Sequence, residues 1–348
     1  MFIRNAWYIA GWANEVVDKP VARRILDEPV VMFRDRHGKA AALVDRCCHR
    51  AAPLSLGQVT DAGLECGYHG LTFDCSGRCV LIPGQEKIPQ KAGVRSYPLV
   101  EKDEFLWIWM GDSEKADPSL ILDYPYHNDY KQWPHKHGLY HVKCNYMLLV
   151  DNLMDLTHIG YIHAKTIGGN PMTHVKAEME TSPTENGLRF LRWMPDSVAP
   201  PTYAKAVPFA GLVDRWQEFD YVAPTSIIQW SGAIDAGNNA KANRDQPGFS
   251  LRLFHGLTPE TETTTHYFWS TANGYRQDEP EATELLYQEI GKAFMEDKEI
   301  VEAQQLRINE MGEGQLVDII HDRNRIHMRR IVDRMLKEEA ASQVQALA

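Results

Sequence analysis

A chain of 348 residues, 44% hydrophobic and 24% charged, has material for about two domains with sizeable cores, which excludes a disordered protein. Its formal charge of −10, from 37 Lys and Arg against 47 Asp and Glu, excludes a nucleic-acid surface, which needs clustered cations to displace counterions. The opening Met1-Phe2-Ile3-Arg4-Asn5-Ala6-Trp7-Tyr8 lacks the apolar core of a signal peptide, and no run approaches about 18 apolar residues. No membrane partner and a cytoplasmic location are therefore expected.

In chain order, β-like runs at Val21–Ile25, 30–33, Ala40–Val44 and 105–110 are separated by Gly, Pro and Asp turns, so the first part reads as antiparallel β. The polar stretch from Gly111 to Ser119 ends in a turn signal and marks the junction, giving domains 1–113 and 114–348. Beyond it come a helix over 145–160, strands at 226–230 and 266–270, and a helix over 281–307. In that last helix Leu285, Leu286, Ile290, Phe294, Ile300 and Val301 keep helical spacing, and a further amphipathic helix is expected over 317–339.

Four of the six cysteines lie between positions 47 and 75. In a reducing compartment clustered Cys and His read as metal ligands rather than as a disulfide scaffold. Cys47-Cys48-His49 is followed, after sixteen intervening residues, by Cys66-Gly67-Tyr68-His69, so the pattern is C-x-H and C-x2-H. Two thiolates for one iron and two imidazoles for the other describe a Rieske [2Fe-2S] centre, with Cys47, His49, Cys66 and His69 as ligands. A structural zinc site uses the same ligand types but commonly spaces paired cysteines by about two to four residues. Either adjacent cysteine could serve in the first loop; the C-x-H register selects Cys47 and leaves Cys48 as a small filler.

The second constellation runs from Asp151 to His163. Asn152, Asp155 and His158 are three apart and share a face of the expected helix, and a turn after Gly160 could bring His163 beside His158. Two neutral imidazoles and one carboxylate make the facial set that holds O2-activating Fe(II).

Together these residues resemble the Rieske non-haem iron aromatic oxygenases, whose signature D/N-x2-D-x2-H-x4-H fits Asn152, Asp155, His158 and His163. The resemblance covers nearly the whole chain. Through Pro53-Leu54-Ser55-Leu56-Gly57, Trp107-Ile108-Trp109, Val213-Asp214-Arg215-Trp216-Gln217 and Leu257-Thr258-Pro259-Glu260-Thr261 it is similar to the branch holding vanillate and dicamba O-demethylases and toluenesulfonate methyl-monooxygenase. It implies an α+β protein: an N-terminal all-β Rieske domain, then a catalytic domain with an antiparallel sheet and flanking helices of the helix-grip type. It also implies Asp297 as third iron ligand, with the neighbouring Glu296 as the other candidate, since adjacent helix positions point about 100° apart.

From the same resemblance follow a mononuclear iron monooxygenase acting on a methoxylated aromatic acid, with O-demethylation and formaldehyde release, or alternatively methyl hydroxylation. Electrons would come from NAD(P)H through a separate flavin- or ferredoxin-type reductase. A homotrimer is implied, in which the carboxylate of Asp155 bridges His158 of its own subunit and His69 across the interface. Asn152 supports the iron site without ligating. Gln229 and His255 are substrate-contact candidates; Arg189 or Arg192 could counter a substrate carboxylate, although arginines on a β surface usually face solvent. Arg46 and Arg50, flanking the first cluster loop, would receive an acidic reductase domain.

Overall fold

The computed structural model describes residues 1–347, with side chains described as far as residue 342. It divides into two compact units: Met1–Asp123 with Thr258–Glu262, and Tyr124–Leu257 with the chain from Thr263 onward. The sequence junction after residue 113 falls within a run of single-turn 3-10 helices, Ser113–Lys115, Pro118–Leu120 and Pro125–His127. The detached Thr258–Glu262 belongs to the first unit by hydrogen bonding: Thr258 Oγ1 donates to Ile9 O at 2.8 Å, and Leu26 N donates to Pro259 O at 3.0 Å.

The first unit is all β. Its strands are β1 (Trp7–Trp12), β2 (Val21–Ile25), β3 (Glu28–Arg34), β4 (Ala40–Val44), β5 (Gln58–Thr60), β6 (Gly63–Glu65), β7 (Thr72–Phe73), β8 (Cys79–Leu81), β9 (Ser96–Tyr97), β10 (Leu99–Lys102) and β11 (Phe105–Trp109). They form three small antiparallel sheets, ordered β1-β11-β10, β2-β3-β4-β9 and β5-β6-β7-β8. Val31, Phe33, Leu43, Leu54, Leu64 and Phe73 pack into one core that also takes in Cys47 and Cys66, at the ends of the loops leaving β4 and β6.

The second unit carries a seven-stranded sheet made of β12 (His135–Val142), β13 (Glu178–Thr184), β14 (Gly187–Ser197), β15 (Val213–Val222), β16 (Ser226–Asp235), β17 (Phe249–Thr261) and β18 (Thr264–Asn273). The order is β12-β18-β17-β16-β15-β14-β13, with the β13 to β17 meander and the β12/β18 pair antiparallel. In chain order its helices are α1 (Tyr146–Met154), α2 (Ile159–Ile162), α3 (Pro171–Val175), α4 (Pro201–Ala206), α5 (Pro280–Met311) and α6 (Arg323–Leu347). α5 packs against β12 and β18, where Tyr140 Oη donates to Gly291 O at 3.1 Å. Its buried stripe, Leu286, Ile290, Phe294, Asp297 and Val301, keeps the i, i+3/i+4 spacing of one helical face.

Two helix expectations are corrected. The segment 145–160 is not one helix: α1 ends at Met154 because Asp155 is extended (φ −122°, ψ 102°) and its carboxylate caps a 3-10 turn over Leu156–His158. An aspartate side chain that bonds nearby backbone N–H groups competes with helix continuation. The last helix starts at Arg323 rather than 317, after a 3-10 turn at Ile320–Asp322. α6 is tied to α1 through Asp151, whose carboxylate accepts from the Arg329 guanidinium and faces Arg325 at 3.4 Å.

Gly160 sits in α2, between the two histidines of the motif, where an added Cβ would lie 2.4 Å from Pro171 Cα. That contact is with backbone, so Gly160→Ala has to displace α2 or α3. The variant should lose about 1–3 kcal/mol of stability, read as a lower urea midpoint. An unchanged midpoint would show that the turn tolerates the methyl group.

Candidate metal centres

In the first unit the two cysteine loops share one backbone scheme. Cys47 N donates to Ala52 O at 2.8 Å and Ala51 N to Cys47 O at 3.0 Å; Cys66 N donates to Leu71 O at 2.8 Å and Gly70 N to Cys66 O at 3.0 Å. Each loop closes on a residue with positive φ, Ala51 at 57° and Gly70 at 72°. The Asp45 carboxylate pins the first loop by accepting from Ser55 N at 2.8 Å and Ser55 Oγ at 2.6 Å. As a result Cys47 and Cys66 are buried, while Cys48, His49 and His69 are exposed. The rings of His49 and His69 lie 4.6 Å apart. Burial, together with the neighbouring Cys66 and Cys48 thiols, pushes the Cys47 thiol up to about 11. The Cys47 sulfur therefore keeps its proton unless a bound cation takes that proton's place.

The second unit brings His158, His163 and Asp297 together, with one ligand atom from each inside a 4.8 Å span. Asp297 Oδ1 is 3.0 Å from His163 Nε2 and 3.5 Å from His158 Nε2. Donors bound about 2.1 Å from one ion at right angles stand about 3.0 Å apart, so this set fits a single metal. The opposite ring nitrogens are held: His158 Nδ1 against Asp155 O at 2.6 Å, His163 Nδ1 against Glu296 Oε2 at 2.7 Å. Both acceptors place the proton on Nδ1 and leave Nε2 lone pairs toward the centre. Asp297 and Glu296 thus take opposite sides of the His163 ring. Asn152 Nδ2 donates to Asp297 Oδ1 at 3.0 Å, so it orients the carboxylate.

Burial holds the His158 pKa below its ordinary value despite the nearby Asp297. For His163 burial acts in the same direction, but Asp297 and Glu296 outweigh it and raise the pKa. Within the subunit Asp155 meets His158 through its backbone carbonyl, not through the carboxylate that the resemblance implied. Its carboxylate is engaged by Thr157, accepting from N at 2.9 Å and from Oγ1 at 2.8 Å.

A narrow cavity of about 30 Å³ opens beside His158, His163 and Asp297. Phe219, Leu251, Leu253 and Phe294 give it an apolar wall, while Tyr203, Gln217, Gln229 and Ser231 supply polar groups. Gln229 lines it as expected. His255 does not: it is fully buried behind the wall, with Nδ1 2.7 Å from Tyr267 Oη and Nε2 3.1 Å from Gln229 Oε1. Burial drives its pKa down to about 3, so it is a neutral ring that orients Gln229. Gln229 in turn donates from Nε2 to Ser231 Oγ at 2.6 Å.

Arg189 and Arg192 part company. Arg189 is exposed and paired with Asp220, whereas Arg192 is buried, donating to Gln217 Oε1 at 2.8 Å and His174 O at 2.8 Å. They sit three residues apart on β14, hence on opposite faces of the sheet. The lining residues Gln217 and Ser231 were not singled out from sequence. The signal was there in the alternation of 215, 217 and 219 on β15 and of 229 and 231 on β16.

Residues 6–98 match the Rieske [2Fe-2S] domain, and residues 142–338 match the vanillate O-demethylase oxygenase C-terminal domain. The chain is 41% identical to the putative toluene-4-sulfonate monooxygenase system iron-sulfur subunit of Comamonas testosteroni, covering 97% of this chain and 98% of that one. It is 38% identical to the vanillate O-demethylase oxygenase subunit of a Pseudomonas species, covering 97% and 96%. The crystal structure of dicamba monooxygenase bound to dicamba superposes with a TM-score of 0.89 at 34% identity, covering 98% and 99%. A catalytic sheet beside a two-histidine, one-carboxylate cluster, a two-loop cysteine–histidine domain and these similarities have one meaning. The chain belongs to the Rieske non-haem iron oxygenases of the vanillate O-demethylase type, monooxygenases that carry a [2Fe-2S] cluster and a mononuclear iron.

Proposed function

We propose that this chain is the terminal oxygenase that O-demethylates a methoxylated aromatic acid of the vanillate type. The observation that carries this reading is the set His158, His163 and Asp297 at the wall of a narrow cavity that is apolar on one part and hydrogen-bonding on another. An apolar wall suits an aromatic ring, and Tyr203, Gln217, Gln229 and Ser231 suit its polar substituents. Overall, ArOCH3, O2, two electrons and two protons give ArOH, formaldehyde and water. His158, His163 and Asp297 would hold the iron, whose chemistry, once bound, would be the activation of dioxygen and the oxidation of the methoxy carbon. The resulting hemiacetal collapses without further help from the protein.

The residues of the chain do the rest. Cys47, His49, Cys66 and His69 hold the cluster that accepts electrons one at a time from a separate reductase. Asn152 and Glu296 fix Asp297 and His163, and Phe219, Leu251, Leu253 and Phe294 keep water from the reacting carbon. In a ring of three subunits Asp155 faces the partner subunit's His69 and links the two centres. No described helix is long and apolar enough to cross a membrane. A second reading, hydroxylation of an aryl methyl group, is favoured by the similarity to the toluene-4-sulfonate system subunit.

Iron and acid-labile sulfide should come to about three and two per chain, and Asp297→Ala should lower iron to about two while leaving sulfide unchanged. Zinc without sulfide would overturn the assignment of both centres. Formaldehyde released from methoxybenzoates supports demethylation; an alcohol formed from 4-toluenesulfonate, with no formaldehyde from any methoxyarene, selects the second reading.

Because the backbone carbonyl of Asp155 holds His158, Asp155→Asn should keep the cap, the iron content and the stability to within about 0.5 kcal/mol. It should slow reoxidation of the reduced cluster in single turnover by at least about tenfold. Wild-type reoxidation kinetics would remove Asp155 from the electron path.

Arg46 and Arg50 are exposed beside the cluster loop. Replacing both with Glu should abolish the salt dependence of electron transfer from the reductase. If the salt dependence persists, docking lies elsewhere.

A further inference from the structure

Arg215 is 1% exposed, and among the described residues no carboxylate lies within ion-pair distance of its guanidinium. Nη1 donates to Gly168 O and Nη2 to Ile167 O, each at 3.2 Å, and Nε has no partner. The guanidinium carbon stands 5.1 Å from the Tyr203 ring centre, and the Tyr203 hydroxyl is in hydrogen-bonding reach of Arg215 and Ser231. A fully buried charge held only by neutral dipoles is costly, and an anion is the partner that would compensate it.

The position of this charge relates it to the cavity. Arg215 and Gln217 share one face of β15, and Gln217 pairs with Ser231 of β16. Ile167, whose carbonyl Arg215 holds, lines the cavity together with Tyr203, Gln217 and Ser231. Arg215 therefore stands behind a part of the wall made of two hydroxyls and an amide. The other buried cation on this side of the sheet, Arg192, is already spent on Gln217, on two backbone carbonyls and on the nearby Asp155. His255 is neutral and has both ring nitrogens engaged. Tyr203 cannot be the missing anion, because burial raises its pKa and keeps it a phenol that can donate.

We propose that Arg215, acting through the hydroxyls of Tyr203 and Ser231, selects a carboxylate or sulfonate on the aromatic substrate. This rests on the reading of the cavity as the substrate site and names the residue that sets its preference for acids. Arg215 is here a specificity-determining residue: its charge lowers the energy of an anion at this wall and does nothing for a neutral ring.

The test is calorimetric titration of the iron- and cluster-loaded enzyme, free of oxygen so that nothing turns over, with 4-methoxybenzoate, 4-toluenesulfonate and the neutral 4-methoxybenzamide. The wild type should bind at least one of the anions about tenfold or more tightly than the amide, and the tighter of the two identifies the acid group preferred. Arg215→Met should weaken that anion by about 10- to 100-fold and leave the amide within about twofold, with Arg215→Lys restoring part of the loss. Equal wild-type affinity for anion and amide overturns the proposal. So does an equal loss for both in Arg215→Met, which would make Arg215 only a clamp on Ile167 and Gly168. Should Arg215→Met not fold, Tyr203→Phe serves instead: it should weaken the anion severalfold relative to the amide, and an unchanged ratio counts against the proposal. Anion binding without formaldehyde release sinks the demethylation reading and leaves this one standing. Formaldehyde from a neutral methoxyarene with no anion preference does the reverse.

Discussion

Asp297 is a carboxylate taken almost wholly out of water, and the arrangement of the second unit follows from how that charge is met. Its Oδ1 accepts from Asn152 of α1 and faces His163 at the end of α2 and His158 in the intervening 3-10 turn. Three segments that could otherwise slide past one another converge on one oxygen, because a buried charge without partners costs more than the ordering of the groups that satisfy it. A divalent cation bound there would meet the Asp297 charge and the two Nε2 lone pairs together, and the same geometry would hold it. The sheet contributes the far wall, and α5, seated on β12 and β18, carries Asp297 to its place.

That convergence depends on a break in the helix. Had α1 continued through Asp155, His158 would have stayed on the face set by Asn152, and His163 would have pointed elsewhere. Instead the Asp155 carboxylate caps the following turn and its carbonyl takes the Nδ1 proton of His158, so one residue both ends the helix and sets the tautomer of a ligand. A residue whose side chain and backbone have separate duties can lose its charge without losing its place.

The first unit solves a different problem. Two thiols must be buried and two imidazoles exposed at the tips of short loops, and the chain achieves this by using the same two backbone hydrogen bonds twice. The unequal spacing, C-x-H in one loop and C-x2-H in the other, then places the two rings side by side at the surface. Cys48, one residue from a buried ligand, points outward, which is why its neighbour alone can share the core with Cys66.

Much of this was legible in the chain. Ligand type and spacing named Cys47, His49, Cys66, His69, His158 and His163 because metal chemistry depends on donor identity and local reach. The choice between Glu296 and Asp297 was not legible in the residues themselves; resemblance favoured Asp297, and the structure puts it on the buried stripe of Leu286, Ile290, Phe294 and Val301. The break at Asp155 was not legible either: helix propensity and the i, i+3 pattern both continue through it, and only the competing cap at Thr157 ends α1. The withdrawal of His255 behind Gln229 and the burial of Arg192 and Arg215 were likewise decided by tertiary structure. A sequence shows which residues share a strand face. Whether that face meets solvent, a cavity or another side chain is set by what the rest of the chain lays against it.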